Sequence, residues 1–465
     1  MKTQQRSYAP ATPCIPQLGL GFHPNVPIEI TADAPTTSSD AGLLLLRQTD
    51  EKLGLCRRWA VHMPDDRDAS RVAHSRLEQF RQRLFQISMG YEDCNDADHL
   101  RDDPVLKTAC DGAPNGQALS AQPTLSRFEN AVDARAIKAL ITDLEQSYVD
   151  ELPADASLVV LDIDGTDDET HGNQQLAFFH GYYDHHMYHP LLVFDGTTGQ
   201  LISAILRPGN AHAARGAMCV LTRLIRRIKA RFPSAQILVR GDSGFCMPRI
   251  LDRIEDLDRE LGDVDFILGI AKNPRLLAMA KPAMDEAQRR YDETGRHIRH
   301  FTSIRYAAST WRHERHVVVK AEHHIRGANP RFVVTSLDDF DPRQIYDVIY
   351  CPRGQAENYI KDLKNALKAD RLSCSRFFPN FFRLLLHAAA YRLMHQLRLA
   401  AAVVAPALAR RQFDTLRTQL LKVAAHVKQT VRCIRIRLPR VFPLPRAFQD
   451  IARYLQAARP DPAPG

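Results

Sequence analysis

Four side chains toward the C-terminal end have types and spacing suited to work on a phosphate backbone. Tyr350, Arg353, Glu357 and Lys364 stand at offsets 0, 3, 7 and 14 within Tyr-Cys-Pro-Arg-Gly-Gln-Ala-Glu-Asn-Tyr-Ile-Lys-Asp-Leu-Lys. On a helix turning roughly 100° per residue they fall within about 60° of one another. One helix face then carries a carboxylate flanked by two cations and a phenol. A carboxylate can hold a hard metal ion, and the cations and phenol can hold phosphates. An isolated Arg–Glu pair at i, i+4 is ordinarily a solvated surface pair worth a few tenths of a kcal/mol, so the reading requires further carboxylates.

Two upstream segments supply them. Leu158-Val159-Val160-Leu161-Asp162-Ile163-Asp164-Gly165-Thr166 reads as a buried strand that ends in acidic residues and a Gly-Thr turn. Gln236-Ile237-Leu238-Val239-Arg240-Gly241-Asp242 is again a short apolar strand with an aspartate at its carboxyl end. Ligand sites in α/β sheets favour that end of the strands. Asp164 and Asp162 both qualify as the first carboxylate. Asp167, Asp168 and Glu169 read as a solvated loop.

The run Tyr-x2-Arg-x3-Glu-x6-Lys, with the two aspartates, resembles one branch of the DDE transposases of bacterial insertion sequences. Pro123-Thr124-Leu125-Ser126-Arg127-Phe128-Glu129-Asn130, the stretch Gly172 to Gln175, and Phe378-Pro379-Asn380-Phe381-Phe382-Arg383-Leu384 are similar to the thirteen-eighty family of these elements. The likeness runs from about residue 40 to about 445. It implies a metal triad of Asp164, Asp242 and Glu357, with Asp164 preferred because the family's first aspartate precedes x-Thr. It implies two Mg2+ ions, with Mn2+ as a substitute. Tyr350, Arg353, Lys361 and Lys364 are then DNA contacts, and Trp311 is expected to hold an unstacked base near the cleaved end. The partners implied are double-stranded DNA, as terminal inverted repeats and as target, and a second copy of the chain in a synaptic homodimer. The activity implied is cut-and-paste transposition. A nuclease or domesticated relative without strand transfer, and a non-catalytic DNA-binding protein, are the competing readings.

The elements that must position these residues can be read from composition and periodicity. A chain of 465 residues exceeds one ordinary core, so two or three domains are expected. The nine cysteines show no Cys-x2-Cys pair, which argues against a disulfide framework or structural zinc and fits a reducing, cytoplasmic compartment. No signal peptide or membrane span is expected. The best candidate span, 384–408, is broken by His387, Arg392, His395, Gln396, Arg398 and Pro406. Charge is uneven: Arg353 to Arg440 holds 18 Lys or Arg against four acidic residues, within a chain of net charge +8. Such a block points to a polyanion, and Arg432, Arg435 and Arg437, alternating with Ile434 and Ile436, suggest a strand with one basic face.

The expected fold is α/β, an RNase H-like catalytic core interrupted by a β-rich insertion. It is flanked by a helical N-terminal region and a helical, basic C-terminal region. The boundaries are a poorly ordered tail at 1–40 and a helical, DNA-binding region at 41–152. The core follows at 153–272, the insertion at 273–346, the rest of the core with the signature helix at 347–400, and the basic region at 401–465. In 41–152 a stripe of Val72, Leu77, Phe80, Leu84 and Ile87 leaves Arg71, Arg76, Arg81 and Arg83 mostly on other faces; the resemblance implies that this region reads transposon-end DNA, while the sequence alone equally allows a packing domain. A second helix is expected from Asp133 to about Leu152. Strands are expected at 158–164, 176–183, 189–195, 200–207, 236–240 and 265–271, with helices at 214–231 and 247–260.

Overall fold

Apolar runs bounded by turn residues make the central strands, and their order follows from how they pair. The computed structural model describes residues 34–457 together with two short strands, Leu18–Leu20 and Ile28–Ile30. Most of the tail expected at 1–40 therefore lies outside the described residues. Its end is built in: Thr37–Ser38 pairs with Ala425–Gln429, and buried Asp40 accepts from the Tyr91 hydroxyl.

Eight strands form one sheet in the order Ile298–Tyr306, Arg315–His324, Arg331–Thr335, Val264–Ile270, Gln236–Gly241, Leu158–Gly165, Leu191–Asp195, Leu201–Ile205, and the short Gly327–Ala328 pairs with the second of these. Numbered along the chain, the first five strands lie in spatial order three, two, one, four, five. The first, fourth and fifth are parallel; the second runs antiparallel to the first, and the third antiparallel to the second. Register sets the carboxyl ends of Leu158–Gly165 and Gln236–Gly241 side by side, Ile163 opposite Gly241. Asp164 and Asp242 are the next residue on each.

Three expectations are corrected. The segment 176–183 gives only Phe178–His180, which leaves the main sheet and pairs with His185–Tyr188. Phe178 and Phe179 are both exposed, so the segment lacks the alternating burial a main-sheet strand needs. The stretch 273–346 is not a separate β module. It opens with the helix Pro274–Thr294, capped by the Asn273 side chain, carrying Pro at its first turn and ending at Gly295. Its strands then extend the main sheet through Arg331–Thr335, which pairs with Val264–Ile270. Edge pairing there satisfies backbone groups that a detached module would have to cover itself.

The third correction concerns charge. The helix Phe377–Val404 is apolar nearly all round and is buried by Arg76–Met89, Leu43–Leu53, Ala134–Glu151 and Pro445–Ala457. N- and C-terminal segments thus share one helical layer against the sheet. Within it Arg81 lies against Asp50, Glu51 and Asp111, and Arg83 donates to Glu129 at 2.7 Å. Both arginines are fully buried and cannot form a DNA-reading face. Arg383 and Arg392, counted in the basic block, are likewise internal, beside Glu129 and Glu151. Ion pairs of this kind hold helices in one relative position, because an unpaired buried charge is costly.

Candidate active site

The three motif stretches outside the carboxylates meet one another. Glu129, on the helix Gln122–Asn130, lies between Arg83 and Arg383. The Gln175 side-chain oxygen accepts from the amide of Phe377 at 2.9 Å, and the Asn380 amide donates to the Tyr188 hydroxyl at 3.1 Å. Together they clamp the helical layer to the segment that follows Asp164.

A cleft of about 460 Å³ opens at the carboxyl ends of the central strands. Asp164, Asp242, Arg353, Glu357, Lys361 and Lys364 all line it, joined by Asp167 and Tyr183. Asp164 is buried, Asp242 half-exposed and Glu357 exposed. The Asp242 carboxylate also accepts from the Gly244 amide at 2.8 Å, which fixes the turn after its strand. The Arg353 guanidinium bridges the aspartates, 2.6 Å from Asp164 and 4.0 Å from Asp242. Burial, reinforced by the charges of Asp242 and Glu357 and opposed by Arg353, pushes the Asp164 carboxyl up to about 6. A site that resists holding so much negative charge is one that a cation relieves.

The segment carrying Tyr350 to Lys364 is not the regular helix its spacing suggests. A wide turn at Gln344–Tyr350 passes into a tight one at Cys351–Gly354, an α-helix at Gln355–Lys361, and a second wide turn at Asp362–Ala366. Pro352 lacks the N–H a continuous helix would use, and Gly354 is a weak helix former. Arg353, Glu357, Lys361 and Lys364 still converge on the cleft. Tyr350 borders it, half-buried, with its hydroxyl against the strand Val264–Ile270. A Cβ on Gly269 would lie 2.8 Å from that oxygen and 2.9 Å from the backbone nitrogen of Ser243, and the backbone contact requires glycine there.

Asp162 faces elsewhere. It is fully buried and takes both of its oxygens to Arg240, at 2.6 and 2.7 Å, and Arg240 donates on to the Ile349 carbonyl at 2.8 Å. This chain ties the central sheet to the residue before Tyr350. Of the two first-strand aspartates only Asp164 lines the cleft.

The loop after Asp164 is not simply solvated. Lys364 donates to the Asp167 carboxylate and to its carbonyl, both at 3.0 Å. Burial works against the Asp167 charge, but the Lys364 ammonium outweighs it and holds the carboxyl below its ordinary value. Asp168 is buried too, with neither oxygen hydrogen-bonded, and burial beside Asp370 raises it well above the carboxylate range. No local signal marks Asp167 as the partner of Lys364, because the two are 197 residues apart in the chain.

Trp311 is not brought to the cleft. Its ring packs edge-on against Tyr306 at 5.4 Å, and Arg315 sits over it at 5.1 Å. Arg315 is held by Asp252 and Glu255 and covers one face of the half-buried ring. Arg432, Arg435 and Arg437 lie outside the cleft and are exposed. Arg435 and Arg437 stand on Ile434–Arg437, directly opposite Lys428 and His426 of Ala425–Gln429.

Residues 21–460 match the family described as Transposase DDE domain group 1. The chain is a DDE transposase family member. DDE transposases use divalent metal ions, and the all-oxygen donor set of Asp164, Asp242 and Glu357 suits a hard cation. Among the described residues no three such side chains are drawn together around a single point; Arg353 occupies the space between the two aspartates instead. A solved structure of a piggyBac transposase synaptic complex with hairpin DNA is similar to this transposase at 11% identity and a TM-score of 0.40. The match covers 92% of this chain and 87% of that one. No curated protein matches. Among the described residues no helix of the transposase is long and apolar enough to cross a membrane.

Proposed function

We propose that this transposase belongs to the thirteen-eighty group and moves its own insertion sequence by cut-and-paste transposition. It would bind the terminal inverted repeats, cleave the DNA ends, and join the 3′-OH ends to target DNA. The spatial order of its first five strands supports reading the core as RNase H-like. Asp164, Asp242 and Glu357 would hold two Mg2+ ions, for which Mn2+ can substitute. When bound, two such ions activate a water or a 3′-hydroxyl and stabilise the leaving oxygen of an in-line displacement.

The observation that carries the reading is the cation already seated between the aspartates: Arg353, 2.6 Å from Asp164 and 4.0 Å from Asp242, in a cleft that Glu357 also lines. Arg353 and Lys364 place fixed positive charge there and would neutralise phosphate oxygens. Lys361 extends the same charged wall, and Tyr350 supplies a phenol at its border. The exposed cations Arg432, Arg435 and Arg437 would carry DNA farther from the cleaved bond, a role that buried Arg81 and Arg83 cannot fill. Two ends joined in one event must be held together, for which a homodimer is the simplest arrangement.

The test uses purified protein, Mg2+ and duplexes covering the DNA that flanks this reading frame. Wild type is expected to nick at the element boundary and to yield joined products. Glu357→Gln should bind these duplexes at least as well as wild type, since it removes a negative charge, yet fail to cleave them. Lys364→Ala should bind more weakly and lower the salt slope by about one phosphate. Cleavage without joined products would reduce the protein to a nuclease. Binding without any cleavage by wild type would make it a DNA-binding protein only.

A further inference from the structure

Beyond Asp167 the chain runs past a second hollow that the reading above does not use. A cavity of about 880 Å³ lies between the segment after Asp164 and the segment after Lys364. Glu92, Asp93, Asp96 and Asp370 are among the residues that line it. Its two arginines are already engaged: Arg371 meets Glu92 at 2.5 Å, and Arg383 lies beside Glu129. Asp370 forms no ion pair or hydrogen bond among the described residues. Burial and the charges of Asp93 and Glu92 hold the Asp96 carboxyl above its ordinary value. An acidic hollow is ordinarily a solvated one, so this count of charges decides nothing by itself.

The oxygens behind its wall decide more. Asp168 pairs with Tyr188, and the amide of Thr170 continues the ladder by donating to the His186 carbonyl. Two positions apart on extended chain, Asp168 and Thr170 project from one face. Both are buried, and among the described residues neither carboxylate oxygen of Asp168 nor the Thr170 hydroxyl meets a hydrogen-bond partner. The Gln174 side chain spends its N–H on the Leu372 carbonyl at 2.7 Å, which leaves its own oxygen, equally sealed from solvent, without a donor. Gln174 and Asp370 line the same cavity. The charge that acts most strongly on Asp168 is that of Asp370, ahead of Lys364, Asp167 and Arg383. Lys364 is held by Asp167, and Arg383 lies beside Glu129, so neither cation closes on Asp168. Burying such acceptors without partners costs free energy, and a second carboxylate nearby adds to the cost.

These atoms share one chemistry: each is an oxygen able to accept, and none is offered a donor. A proton satisfies one oxygen of such a set. A hard divalent cation satisfies several at once, because it takes carboxylate and amide oxygens together with water. We propose that Asp168 and Asp370, with Gln174 Oε1 and Thr170 Oγ1, form a second divalent-cation site, separate from the triad of Asp164, Asp242 and Glu357. Only two carboxylates take part. Asp370 is half-buried at the cavity's edge, where waters have room to complete the coordination. Neutral oxygens at irregular spacing suit the larger and more adaptable shell of Ca2+ better than the strict octahedron of Mg2+. A cation here ties the segment after Asp164 to the one after Lys364. Two hydrogen bonds already join them, from the Gln174 side chain to the Leu372 carbonyl and from the Gln175 amide to the Ser375 carbonyl. Asp168 is the residue next to Asp167, so the cation also steadies the pair that holds Lys364.

The test contains no DNA, so its outcome is independent of the transposition reading. The full chain carrying Asp164→Asn and Glu357→Gln serves as the background, because those changes remove the triad's own hold on metal. Stripped with EDTA and titrated with Ca2+ in a calorimeter, the background is expected to bind one Ca2+ per chain and to melt at a higher temperature once loaded. Adding Asp168→Asn or Asp370→Asn should weaken Ca2+ binding by at least about tenfold, since each removes a charged ligand. The melt should then no longer respond to the same Ca2+ concentration. In EDTA, Asp168→Asn should melt at or above the background, because it deletes a buried carboxylate that has no partner. Should Asp168→Asn fail to fold, Asp370→Asn carries the comparison, since its side chain is only half-buried. Absence of Ca2+ uptake by the background overturns the site, and so does uptake that the variants retain. A melt shift that K+ reproduces at equal ionic strength also overturns it, since screening of an acidic surface would then account for the effect.

Discussion

At the scale of residues, Asp162 and Asp164 separate two uses of the same side chain. Two positions apart on one strand, one locks Arg240 and the other lines the cleft. Their substitutions should fail in opposite ways. Asp162→Asn leaves buried Arg240 without its charge partner, and breaking such a pair costs about 3–5 kcal/mol. A clear fall in melting temperature is expected, with cleavage reduced through loss of folded protein. Asp164→Asn removes a carboxyl that burial and like charges already disfavour as an anion. Melting should hardly change, while cleavage should vanish and DNA binding persist. A melt beside a cleavage assay on both variants decides the assignment; the reverse pattern would exchange the two aspartates.

At the scale of elements, the hairpin Ala425–Gln429 with Ile434–Arg437 is amphipathic across its width. Val427 opposite Ile436 turns to the core, and the His426, Lys428, Arg435 and Arg437 face turns outward. Among the described residues Lys428, Arg432, Arg435 and Arg437 form no ion pair with a carboxylate. Replacing Arg432, Arg435 and Arg437 together by alanine should leave the melt intact. It should make the salt dependence of DNA binding shallower, by about 0.9 log units per log unit of salt for each phosphate left without its cation. An unchanged slope would remove this hairpin from the DNA interface.

The helix Phe377–Val404 makes a second prediction at this scale. His387 is fully buried, and burial, helped by Arg383 and Arg83, pushes it down from 6.5 to about 3. The unfolded chain takes up this proton below about 6.5, whereas the folded one refuses it until about 3. The group's stabilising share is therefore fully present above 6.5 and is lost as pH falls toward 3, by about 1.4 kcal/mol per pH unit. Denaturant unfolding of wild type and His387→Leu between pH 6.5 and about 4 should show the variant losing less stability on acidification. Parallel curves would mean that the histidine titrates normally.

At the scale of the molecule, segments distant in sequence share one helical layer. Helices from 43 to 151 cover Phe377–Val404, and the C-terminal helix Pro445–Ala457 closes the same core. A fragment of residues 153–465 would expose the apolar length of Phe377–Val404 and leave Arg383 and Arg392 without Glu129 and Glu151. It should show no cooperative melt and should aggregate. A sharp thermal transition in that fragment would show that the N-terminal helices form a domain of their own.

Features written in neighbouring residues were legible before any folding was known. The strands ending at Asp164 and Asp242 and the helices Ala217–Arg231 and Pro248–Leu261 follow from local periodicity, which needs no distant partner. The convergence of Arg353, Glu357 and Lys364 followed from their spacing, even though the helix that carries them changes pitch. Which charges are spent internally depends instead on how the chain folds back on itself. Arg353 meets Asp164 across 189 residues, and Lys364 meets Asp167 across 197. Charge counts cannot distinguish a buried Arg383 from an exposed Arg437, because composition carries no record of the partner. Likewise Trp311 and Tyr182 are both large aromatics in sequence. One carries Arg315 over a ring face and the other stands exposed on a hairpin turn, because the chain, in closing its sheet, brought a cation over the first and turned the second outward.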